Sequence, residues 1–241
     1  MSRTILVTGG GTGIGRAVAH HFADAGDDVI VTGRRPGPLD ATAAGRRTVR
    51  PLVCDHTDPD ALTALLTALP ERIDVLVNNA GGNTDLDTDG ATGLAAYARH
   101  FRANLDANLL SAVLTTKAVD DRLAAGGAVV HLGSIAADQG SGGAYGAAKA
   151  GLASWNIGLS RTLGPRDITA NVVSPGYVAG TDFFHDRLTD ERRDHLVAAS
   201  ATGRPGSPDD IAGTVAFLAS PAARHLTGQV LNVNGGTRGT R

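Results

Sequence analysis

The chain has 241 residues, 42% of them apolar and 19% charged, with a formal net charge of -2 at neutral pH. That length suits one open α/β sheet better than two average domains. No apolar run approaches the roughly 20 residues of a membrane span, and the charge balance speaks against nucleic acid, since no basic tract extends beyond Arg34-Arg35 and Arg46-Arg47.

The single cysteine, Cys54, excludes an internal disulfide, and the apolar stretch after Met1-Ser2-Arg3-Thr4 is too short for a secretory signal. The expectation is a cytoplasmic protein with a small-molecule partner, no membrane and no nucleic acid.

Along the chain, short β-branched runs alternate with longer Ala/Leu-rich stretches, as in βαβ units feeding one mainly parallel sheet. The first predicted strand, 5–8, runs into Thr8-Gly9-Gly10-Gly11-Thr12-Gly13-Ile14-Gly15 and a helix over 13–25. Glycines let the backbone turn tightly and approach a pyrophosphate, and free N–H groups at a helix start favour an anion. The spacing is T-G-x-x-x-G-x-G, not strict G-x-G-x-x-G. Alone, such a turn also fits a plain strand-to-helix connection.

The second strand, 29–32, is followed by Gly33-Arg34-Arg35. An acid at that end would hold a ribose 2′-hydroxyl and repel a 2′-phosphate. With glycine there and two arginines able to clamp a phosphate, NADP(H) is preferred and NAD(H) remains possible; the plain alternative for the arginines is a solvated turn. A third strand, 48–53, leads to Asp55, placed either to meet an adenine amino group or to cap the turn before Thr57-Asp58.

Asp58-Pro59 opens a helix over 59–69 as N-cap and first-turn proline. The fourth strand, 75–78, delivers Asn79-Ala80-Gly81 to the carboxyl edge where open α/β sheets bind ligands, and a polar loop follows over 81–93. Further helices are expected over 98–124, 144–163 and 208–219, and strands over 129–132, 169–173 and 230–233. Residues 176–200 contain Phe183-Phe184, many charges and a weak helical pattern, and read as a substrate lid. The histidines lack metal-ligand spacing, so no metal is expected. Trp155 and Phe217 read as packing helices or a subunit contact.

The chemistry is expected after the fifth strand, 129–132, and in the helix that follows it, 144–163. Ser134 follows the strand that ends at Leu132-Gly133, and Tyr145-Gly146-Ala147-Ala148-Lys149 puts a phenol and an ammonium four residues apart on one helix face. A nearby ammonium favours the phenolate, which tunes the phenol as acid or base. Lys149 and Lys117 are the only lysines among the 22 basic residues, so the position calls for lysine specifically.

These motifs, with Asn171-x-x-x-Pro175-Gly176, Thr227-Gly228-Gln229 and Asn234-Gly235-Gly236, resemble the short-chain dehydrogenase/reductase family over essentially the whole length. The closest resemblance is to 3-oxoacyl-carrier-protein reductase-like ketoreductases. It implies a single-domain, doubly wound Rossmann-like fold over 1–241, with a seven-stranded mainly parallel sheet and helices on both faces. It also implies a tetrad of Asn108, Ser134, Tyr145 and Lys149: the serine positions a carbonyl, the tyrosine transfers a proton, and the lysine binds nicotinamide ribose and tunes the tyrosine. The asparagine supports a water leading to that lysine.

Cofactor contacts implied or read directly are Gly9, Thr12, Gly13, Ile14, Gly15, Arg34, Arg35, Asp55, Asn79, Ala80, Gly81, Tyr145, Lys149, Pro175, Gly176, Val178 and Thr181. The substrate would be a small carbonyl or alcohol, or a carrier-bound acyl group, and the assembly a homotetramer or homodimer. Three departures stand out: a shortened stretch between Ser134 and Tyr145, an extra residue before Thr181, and a rival asparagine, Asn104, one turn before Asn108.

Overall fold

The computed structural model describes residues 2–86, 90–139, 143–184 and 187–239. Its strands are β1 (Thr4–Thr8), β2 (Asp28–Gly33), β3 (Val49–Val53), β4 (Ile73–Asn78), β5 (Leu123–Leu132), β6 (Thr169–Pro175) and β7 (Val230–Val233). They form one seven-stranded sheet in the order β3-β2-β1-β4-β5-β6-β7, with every pairing parallel. The helices are α1 (Gly13–Asp24), α2 (Pro36–Ala43), α3 (Pro59–Ala68), α4 (Leu94–Leu105), α5 (Ser111–Ala118), α6 (Gly143–Leu163), α7 (Asp190–Ala198) and α8 (Pro208–Leu218).

Parallel strands joined by helical crossovers have both faces covered, so their sequences are apolar at successive positions. Alternation along β1 divides the core accordingly. Ile5 and Val7 pack with Val18 and Phe22 of α1 and Val215 and Leu218 of α8. Leu6 points the other way, into a cluster with Leu62 and Leu65 of α3 and Leu163 of α6. The chain order reverses between β1 and β4, which opens a crevice at their carboxyl ends.

All the expected strands form, and α1, α3, α6 and α8 follow their predicted spans closely. The helix expected over 98–124 differs: it begins at Leu94, takes a π turn at Asp106–Leu110, and ends at Ala118. Leu123-Ala124-Ala125 has helical propensity, yet Leu123 pairs with Ile73 as the start of β5, and the sheet overrides the local preference.

Helix α2 has no counterpart among the predicted elements, and α7 gives form to the weak helical pattern within 176–200. Pro36 occupies the first turn of α2, and its buried Leu39 packs against the sheet. Helix α7 is capped by the Thr189 side chain, which accepts from the Arg192 N–H.

Candidate active site

The glycine turn follows from the need to bring β1, α1 and β4 together at the crevice. Gly9 and Gly13 have φ of 64° and 50°, a conformation side chains rarely adopt. A Cβ on Gly15 would collide with the Gly9 carbonyl oxygen and the Asn79 amide. Asn79 Nδ2 donates to Thr8 O and Gly9 O, both at 3.0 Å, while the Asn79 and Ala80 N–H groups donate to Thr8 Oγ1 at 3.0 and 2.9 Å. Asn79 therefore spends its amide donor on holding the turn.

Arg16 donates to Gly11 O at 2.6 Å, and Thr42 of α2 lies 3.0 Å from Gly10 O. Thr12 caps α1 without a side-chain hydrogen bond, and no acid stands in the first turn. The N–H groups at the start of α1 thus receive no side-chain cap, and the glycine turn shapes that helix end for an anion.

At the end of β2, Arg34 and Arg35 are exposed. Arg35 reaches Asp182 at 3.8 Å, with both side chains 69% exposed. Asp55 forms the turn expected as its plain alternative: its Oδ1 accepts from the Thr57 N–H and hydroxyl at 2.9 and 2.7 Å. Those bonds hold its carboxyl below the usual range, and Arg34 adds a smaller pull in the same direction. Across the crevice, Thr181 Cγ2 lies 3.3 Å from where a Gly13 Cβ would be, so Thr181 closes over the glycine turn. Val178 is buried and bridges to Gly206.

At the carboxyl end of β5, Ser134 caps a short 3-10 turn, its Oγ accepting from Ala136 N at 3.2 Å. Tyr145 and Lys149 of α6 are 8% and 5% exposed. Lys149 Nζ donates to Leu132 O at 2.7 Å and sits 5.7 Å from the Tyr145 ring centroid. Burial pushes the phenol up to about 12, while Ser134 lies close enough to the hydroxyl to pull it partly back.

The expected influence is an ammonium favouring the phenolate; in the structure burial is the larger influence and shifts the phenol the other way, so it holds its proton at neutral pH. Burial also lowers Lys149 to about 8. A cavity of 130 Å³ adjoins Lys149, lined also by Ser134, Ala137, Asp138, Ala153 and Ser174 among others.

Asn108 makes its hydrogen bonds to Gly82 and to the Asn104 carbonyl rather than to Ser134, Tyr145 or Lys149. It occupies the π turn, where its Nδ2 donates to Gly82 O at 2.8 Å and its Oδ1 accepts from Gly82 N at 3.1 Å. The rival Asn104 accepts from Thr84 N at 3.2 Å and donates to Asp85 at 2.7 Å. Both amides hold the loop after β4, one turn apart.

His131 escaped the sequence reading, although a lone histidine in Val129-Val130-His131-Leu132 was a visible signal. It is fully buried beside Lys149, receives a 3.2 Å bond from Asn78 Nδ2, and meets the Trp155 ring at a 58° tilt with centroids 5.2 Å apart. Burial, with the lysine charge second, lowers it to about 3. Trp155 thus packs a helix onto a strand. Among the described residues no His, Cys, Asp or Glu group could hold a metal ion.

The family model described as Enoyl-(Acyl carrier protein) reductase matches residues 9–238. The chain belongs to the short-chain dehydrogenase/reductase family. This family member is 36% identical to the 3-oxoacyl-[acyl-carrier-protein] reductase of Escherichia coli over 245 aligned positions, covering 96% of this chain and 95% of that one. A Mycobacterium tuberculosis protein named as an oxidoreductase is 37% identical over 232 positions, covering 96% of both chains.

Among solved structures, a short-chain dehydrogenase/reductase from Burkholderia thailandensis superposes with a TM-score of 0.82 at 37% identity, covering 98% of this chain and 93% of that chain. One from Serratia marcescens superposes at 0.83 and 32% identity, covering 98% and 97%. The chain is an oxidoreductase with the family's Rossmann-like fold, and the family uses nicotinamide cofactors. Among the described residues no helix is long and apolar enough to cross a membrane.

Proposed function

We propose that this oxidoreductase is an NADP(H)-dependent ketoreductase, with residues 1–241 acting as one domain and 176–200 as its lid. The observation that carries the reading is the cluster of half-buried Ser134 with buried Tyr145 and Lys149 at the carboxyl edge of the sheet. A nicotinamide cofactor, when bound, supplies the hydride.

The cradle at Gly9, Thr12, Gly13, Ile14 and Gly15 fits its pyrophosphate, with Thr181 facing it and Ala80, Gly81, Pro175 and Gly176 near its remaining length. Arg34, with Arg35, suits a 2′-phosphate because Gly33 offers no carboxylate to repel it.

On the substrate side, Ser134 Oγ holds the carbonyl oxygen and the neutral Tyr145 hydroxyl gives it a proton as the carbonyl carbon is reduced. Lys149 keeps a positive charge beside the phenolate that forms, which lowers the cost of that charge in a buried site. Asn108 acts as a positioning residue through the Gly82 loop.

General acid chemistry contributes about 10²- to 10⁴-fold. Tyr145→Phe should therefore lose at least about a hundredfold in NADPH oxidation with a ketone while still binding the cofactor. Near-normal turnover would end this mechanism.

A further inference from the structure

Three aromatic side chains extend from the reacting hydroxyl toward the surface. Phe183 stands edge-on to the Tyr145 ring with centroids 5.4 Å apart and planes at 63°. Phe184 meets Phe183 at 5.0 Å and 82°, and Tyr177 meets Phe184 at 5.9 Å and 64°. Each pair lies in the distance and angle range favoured by ring quadrupoles. The guanidinium of Arg192 covers the outer ring, 6.0 Å from the Phe184 centroid.

In a chain with only 4% aromatic residues, this concentration forms one wall against the phenol. Phe183 and Phe184 are half-buried and sit on a short 3-10 turn, so they lie on a loop rather than inside a core cluster.

Among the described residues of the same segment, the two arginines of α7 already have partners. Arg193 is bonded to Asp190 and Asp194, Arg192 is spent on the Phe184 ring, and α7 carries three acids against two arginines. The phosphodiester of a carrier-bound acyl group would compete with these contacts for either arginine.

From these contacts we infer that the lid selects ketones bearing a planar aromatic substituent, with Phe183 as the specificity-determining residue that packs the substituent beside Tyr145. This rests on the ketoreductase reading above. The substituent takes over the edge-to-face contact that Phe183 makes with Tyr145, so the wall offers a second aromatic group to a substrate ring and only a loose fit to a methyl group.

The test compares ethyl benzoylacetate with ethyl acetoacetate, which differ by phenyl in place of methyl on the reacting ketone, and includes acetoacetyl-CoA as a thioester. With NADPH, the wild-type protein should show kcat/KM at least about tenfold higher for the aryl ester. Phe183→Leu should reduce that ratio toward unity, chiefly through KM, and Phe183→Tyr should preserve it. Melting curves confirm that both variants fold.

Equal or better use of ethyl acetoacetate or acetoacetyl-CoA by the wild type overturns the inference and leaves the ketoreductase reading standing. So does an unchanged ratio in Phe183→Leu. Failure to reduce any of the three ketones with either nicotinamide cofactor overturns the functional reading itself.

Discussion

Lys149 Nζ donates to the Leu132 carbonyl at 2.7 Å, which ties the ammonium to the last residue of the strand that delivers Ser134. One bond thereby fixes the helix that carries Tyr145 against the strand end that carries the serine. The cost is a buried charge.

Burial lowers Lys149 from 10.5 to about 8, so between those values the unfolded chain holds a proton that the folded chain has released. The contribution of this group to stability therefore rises with pH from about 8 to 10.5, and below 8 the folded state bears the full desolvation cost. That cost is about 3 kcal/mol before the Leu132 bond is set against it. Lys149→Met should abolish turnover yet hold or raise thermal stability at pH 7, with the gain shrinking at pH 10. Equal destabilisation at both values would contradict the assignment. Ketone reduction by the wild type should decline as pH rises through about 8.

Arg34 and Arg35 are set apart by their neighbours. Arg35 has an ion partner in Asp182, whereas Arg34 exerts only a weak pull on Asp55. Arg34→Ala should weaken NADPH by about 1.5 to 3 kcal/mol, roughly ten- to a hundredfold, with little change for NADH. Since exposed pairs contribute at most about 1 kcal/mol, Asp182→Asn should tighten NADPH by no more than about fivefold and leave NADH unchanged. Fluorescence titration with both cofactors reads both effects, and equal losses for NADPH and NADH in Arg34→Ala would remove the phosphate assignment.

Much of this was legible in the sequence where local chemistry and the fold agree. The strands were clear because both sheet faces are buried and the runs are continuously apolar, as in Leu76-Val77 and Val129-Val130. Ser134, Tyr145 and Lys149 were legible because their spacing survives folding. The end of α5 was not, since Leu123 chooses strand only through its pairing with Ile73, a long-range partner. The upward shift of the Tyr145 phenol was also hidden: spacing shows an ammonium nearby but says nothing of how dry the site is. Helix α2 carried a signal in Pro36, yet its docking depends on Thr42 reaching the Gly10 carbonyl, which no local pattern records.

Glycines separate by what surrounds them. A methyl group at Gly15 would collide with Gly9 O and Asn79 Nδ2, while one at Gly37 in α2 would meet nothing within 4 Å. Gly15→Ala should force the cradle open and lose binding of NADPH and NADH alike. Gly37→Ala should bind both normally and gain about 0.5 to 1 kcal/mol in stability, because alanine loses less backbone freedom in a helix. Normal cofactor binding by Gly15→Ala would show that the turn can shift without consequence.

Asn104 and Asn108 are neighbours on one helix face with different loads. Asn104 holds Thr84 and Asp85, farther along the loop, and Asn108 holds both backbone groups of Gly82. A Cβ at Gly81 would lie 2.5 Å from Asn108 Oδ1, so the amide sits tightly under the segment that follows the cofactor-edge asparagines. Replacing either amide leaves part-buried groups of the loop unpaired, at a cost of about 1 to 3 kcal/mol. If Asn108 positions the reacting groups, Asn108→Ala should lower kcat and displace the pH profile of ketone reduction, whereas Asn104→Ala should lower the melting temperature with the profile in place. The same displacement in both variants would reduce Asn108 to a loop support, because a structural effect shared by the two amides cannot distinguish the turn nearer the cofactor from the turn before it.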